Sequence, residues 1–123
     1  MSTNHSTLAE RIRAQAEGLY PTEAAAHLIT EALSGRLLEK LDPAVHEVPE
    51  RGFAYIDWDH ALDLAAPFSS GERRIINLAA SLFTGQHPID AQDTFTGLDN
   101  GNSRVALEAI AHSLNYPVRW ARQ

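Results

Sequence analysis

Apolar residues recur at helical spacing along most of the chain. In "TLAERIRAQAEG", Leu8 and Ile12 are four apart, and Leu19 follows near the same face. Thr7 and Glu10 form a Thr-x-x-Glu capping box. The hydroxyl takes a first-turn N–H, and the carboxylate takes the cap's own N–H. A helix is expected over roughly 7–18, ended by Gly18. Pro21 suits the first turn of a second helix, "PTEAAAHLITEAL", running to about Leu33. Its apolar face holds Ala25, Leu28, Ile29 and Leu33. "SGRLLEKL" then reads as a short helix or a continuation past Gly35.

The period changes over residues 42–57. Pro43, Pro49 and Gly52 punctuate "DPAVHEVPERG", and Phe53, Tyr55 and Ile56 favour strand. "HEV", a "PERG" turn and "FAYID" together predict a short hairpin. Helical spacing resumes at Asp57, the expected cap of "DWDHALDLA", with Trp58, Leu62 and Ala65 inward and Pro67 as the stop. A helix over roughly 70–83 carries Ile75, Ile76, Leu78, Ala79, Leu82 and Phe83. That wide apolar face makes it the candidate central helix. Gly85 and Pro88 end it, and Asp90 caps a short helix in "DAQDTFTGL". The last helix, "NSRVALEAIAHSLNY", is expected to bury Leu107, Ile110, Ala111 and Leu114, and Pro117 closes it. The fold class expected is mainly α: a compact bundle of five or six helices with one short β-hairpin near residues 45–57. A single helical domain is expected over 1–123, with residues 1–6 expected to be disordered.

Composition narrows the function classes. The chain has 123 residues, 44% of them apolar, enough for a core without metal or disulfide staples. It has no cysteine, which excludes a disulfide framework, a thiol nucleophile and a cysteine zinc site. The N-terminal "MSTNHSTLAERIRAQ" has no apolar core of a secretory signal. No apolar run reaches the ~18 residues of a membrane span. These features fit a cytoplasmic protein. The net charge is −6, and all of it lies in the first half. Residues 1–66 hold eleven acids and five bases, whereas residues 67–123 hold five of each. An acidic chain disfavours nucleic acid as a partner.

"FSSGERRIINLAASL" and the later "TGLDNGNSRVALEAI" resemble the signature and the Leu-Asp turn of ABC-type ATPases. That resemblance implies a phosphate-holding helix start at Ser69, Ser70, Gly71 and Glu72, with Leu98 and Asp99 at the later turn. The remaining machinery is missing. The lone lysine, Lys40, follows Leu38-Glu39 and sits in no glycine loop. The interval "FTGQHPIDAQDTFT" holds no apolar run ending in Asp-Glu. Helix punctuation explains the same letters: Ser69 and Glu72 make a second capping box, and "TGLDNGN" ends one helix and caps the next. The Arg-rich, Ala-rich, Lys-poor style also resembles small uncharacterised proteins of actinobacteria and their phages. That likeness carries no motif and transfers no site.

Three other groupings carry candidate chemistry. Asp59, His60 and Asp63 can ligate a divalent ion or act as acid and base, or simply form a solvated acidic face beside the cap Asp57. Arg73, Arg74 and Arg104, with Arg119, Arg122 and Trp120, offer a surface for nucleotide or nucleic acid, or ordinary salt links. Trp58, Phe68, Phe83, Phe95 and Trp120 supply either core or interface. The six histidines, at 5, 27, 46, 60, 87 and 112, are scattered. His27 and His112 read as half-buried packing residues. The leading expectation is a non-enzymatic protein-interaction or regulatory domain, using no cofactor or metal and binding another protein or itself as a homodimer. The alternatives are nucleotide or nucleic-acid binding at Arg73/Arg74/Arg104 and a metal-dependent enzyme at Asp59/His60/Asp63.

Overall fold

The computed structural model describes residues 7–116. The expectations for residues 1–6, His5, Pro117, Arg119, Trp120 and Arg122 fall outside that range. The described residues form a mainly α fold with one two-stranded antiparallel hairpin.

Helix α1 is Leu8–Ala16, and both bonds of its capping box are made. The Glu10 N–H donates to Thr7 Oγ1 at 3.1 Å, and the Thr7 N–H donates to Glu10 Oε1 at 2.8 Å. Gly18, at φ +115°, turns the chain in a conformation that favours glycine. The turn takes Leu19 off the α1 face expected for it. Leu19 precedes α2 instead and is exposed. Helix α2 is Tyr20–Glu31, with Pro21 in its first turn. It stops short of Leu33, whose φ of +55° no L-residue helix continues. A 3-10 turn (Ala32–Gly35), the single helical turn α3 (Leu37–Lys40) and a second 3-10 turn (Asp42–Ala44) follow.

Strands β1 (Val45–Val48) and β2 (Phe53–Ile56) pair in register Val45↔Ile56 through Val48↔Phe53. A two-stranded hairpin is marginal alone. Here α1 lies against β2, with Ala54 and Ile56 buried, and Arg11 reaches Glu47 on β1 at 2.9 Å. The remaining helices are α4 (Trp58–Ala65), α5 (Ser70–Thr84), α6 (Ala91–Thr96) and α7 (Asn100–Ser113). The expected aspartates cap α4 and α6, Asp57 accepting from the His60 N–H and Asp90 from the Asp93 N–H. Gly85 ends α5 in the left-handed region.

Leu28, Ile29, Leu37, Leu41, Ile75 and Ile76 are the largest fully buried side chains. The centre is shared rather than held by α5 alone. Helix α2 packs on α1, α3, α5 and α7, and α5 packs on α2, α4, α6 and α7. Helix α7 corrects one expectation. Its inward face is Asn102, Ala106 and Ala109. Leu107 and Leu114, expected in the core, are 50% and 71% exposed. The reason is steric. The small Ala106 and Ala109 on the inner face of α7 permit a close approach to α2 that leucines there would block. Among the described residues, no helix is long and apolar enough to cross a membrane.

Candidate functional site

The capping geometry accounts for the ATPase-like letters. Glu72 N–H donates to Ser69 Oγ at 3.3 Å, and Ser69 N–H donates to Glu72 Oε1 at 3.0 Å. Asp99 caps α7 by accepting from the Asn102 N–H at 2.8 Å. Lys40 is 2.6 Å from Glu72 Oε2, and its ammonium lies 5.0 Å from the centre of the Phe68 ring. Lys40 first, and then the Ser69 bonds, hold the Glu72 carboxyl below its ordinary range. The sign follows directly. A lowered folded pKa contributes stability above the unfolded value, about 4.3 for glutamate, which is lost as pH falls through the folded one. Urea midpoints should therefore drop on acidification below about pH 4.5, and less steeply in Glu72→Gln. An acid limb of equal slope in both proteins would count against this linkage.

The metal-type group does not converge. Asp59, His60 and Asp63 are all exposed. Asp59 pairs instead with His87, at 3.3 Å. Among the described residues, no group of three or more His, Cys, Asp or Glu is arranged to hold a metal ion. The arginines are each engaged locally. Arg73 donates to the Phe68 carbonyl at 2.7 Å. Arg74 donates to the Asp93 carbonyl at 2.9 Å and meets that residue's carboxylate at 3.3 Å. Its guanidinium also covers Gly97, where a Cβ would stand 2.2 Å from Arg74 Cζ. Arg104 lies 3.5 Å from Glu108, one turn along α7.

Of the aromatics considered for an interface, Trp58 is buried, with Phe83 at 5.6 Å between ring centroids. Phe68 is half-buried beneath Lys40. Phe95 alone of the four described is exposed. The larger apolar exposure lies on α7. Leu107, Ile110, Ala111 and Leu114 keep the helical spacing read from the sequence, but they form an outer stripe. Its two ends are exposed, and its two middle residues are half-buried.

Of the two histidines expected to be half-buried, His27 is half-buried and His112 is exposed, and each lies beside a glutamate. His112 Nε2 is 2.6 Å from Glu23 Oε1, and His27 Nε2 is 3.4 Å from Glu108 Oε1. Each pair joins α2 to α7. The Gly18 N–H, and then His112, hold the Glu23 carboxyl below its ordinary value. The Tyr20 and His112 rings stand nearly perpendicular, at 5.6 Å between centroids. A signal for this arrangement lies in the sequence. "EAAAH" (23–27) and "EAIAH" (108–112) are the same pattern of Glu and His four apart. Such spacing puts both groups on one helix face. No protein-family model, curated protein or solved structure matches the chain.

Proposed function

We propose that the chain is a non-enzymatic interaction module that pairs with a second copy of itself through the outer face of α7. One observation carries the reading: Leu107, Ile110, Ala111 and Leu114 form a regular apolar stripe on the surface. One further feature favours a second copy as the occupant. The stripe is self-complementary, since an antiparallel two-fold pairing sets Leu107 against Leu114 and Ile110 against the smaller Ala111, twice over.

Sedimentation equilibrium tests the proposal. The expected result is twice the monomer mass for the natural chain. Leu107→Glu with Leu114→Glu should weaken pairing by roughly tenfold or more, as loss of central apolar anchors does. Leu107 and Leu114 are exposed, so the helical circular dichroism should not change. A strict monomer up to the solubility limit would overturn the reading. So would a dimer that the double substitution leaves intact.

A further inference from the structure

The paired "EAAAH" and "EAIAH" segments lie face to face across the α2–α7 contact. The glutamate of each meets the histidine of the other, which requires the two helices to run antiparallel. We propose that these two crossings form a pH-responsive latch that seats α7 on α2. The latch is fully charged only where both carboxylates are ionised and both imidazoles are protonated. Histidine loses its charge around pH 6.5, and carboxylates lose theirs near pH 4. Seating is therefore tightest in mildly acidic solution and loosens as pH rises through the imidazole range. Protonated imidazole bound to carboxylate stabilises the docked state below that range, and the contribution is lost above it. The charge-assisted bond gives way to a weaker neutral one.

Among the described residues, these groups stand around the latch. Tyr20 meets the His112 ring from α2, and Arg104 approaches Glu108 from its own helix. At the far end of α2, Arg13 of α1 pairs with Glu31. From α5, Glu72 is held by Lys40, Arg73 donates to a backbone carbonyl, and Arg74 pairs with Asp93. Arg36, in the link after α2, donates to the Leu33 carbonyl. None of these named groups is a histidine.

The inference does not depend on self-association and is measured on seating itself. Native-state amide exchange would be recorded at about pH 5.5 and about pH 8, either side of the imidazole range, with intrinsic rates divided out. Protection of α7 amides relative to α5 amides should fall roughly three- to fivefold between them, the scale of two partly exposed ion pairs. The fall should vanish in His27→Gln with His112→Gln, and also in Glu23→Gln with Glu108→Gln. Running both sets in the Leu107→Glu, Leu114→Glu background separates seating from any loss of pairing. A natural chain whose ratio stays flat would overturn the latch. So would an equal fall in the variants.

Discussion

Leu28→Ala is expected to lower the unfolding free energy by about 2–5 kcal/mol, the range for leucine truncated in a close-packed core. Leu28 is fully buried on α2, the helix on which α1, α3, α5 and α7 all pack. Little can collapse into the space without moving several helices at once. Against a typical domain stability of roughly 5–15 kcal/mol, the loss is large. Urea unfolding would read it as a lower midpoint at unchanged slope. Leu107→Ala, measured on protein dilute enough to be monomeric, supplies the control. The chemistry is the same, but the side chain is half exposed, so the shift should stay within about 0.5 kcal/mol. Equal losses at the two positions would contradict the placement of α7 described above.

Asn102→Ala should cost about 1–3 kcal/mol, the penalty for stranding a buried donor. Asn102 is buried on the inner face of α7, and its Oδ1 accepts the Leu33 N–H at 3.0 Å. Leu33 holds a positive φ, which bulky residues adopt only when their surroundings enforce it. One side chain thus satisfies the backbone where α2 breaks and ties that break to α7. The loss should concentrate at this junction. Amide exchange at Leu33 should rise more than exchange in β1 or β2. A uniform rise throughout the protein would mean that the bond holds nothing in particular.

Local chemistry was readable from the sequence wherever a side chain acts on its own neighbourhood. Thr7 with Glu10, Ser69 with Glu72, and the aspartates at 57 and 90 all cap the helices they precede. The hairpin was equally local, because Gly52 and the strand-favouring residues after it lie within a few positions of the turn. The facing of α7 was not legible. Its sequence carries a leucine stripe and an alanine stripe, and only the packing against α2 decides between them. Nor were the roles of His27 and His112, whose partners lie 81 and 89 residues away. The matching pentapeptides hinted at them, but a pattern shared by two helices does not say that they touch.

Those long separations also shape the order of assembly. The hairpin and the capped helices can close early, using contacts within reach of a few residues. The face of α2 that receives α7 must wait for a far larger loop to close, whose entropic cost precedes any gain from the contact. Until then the α2 face that carries Glu23 and His27 stays open to water, and its charged groups offer other chains little apolar surface to hold. A nascent chain can keep such a face unpaired with less risk of misassembly than one built from leucines.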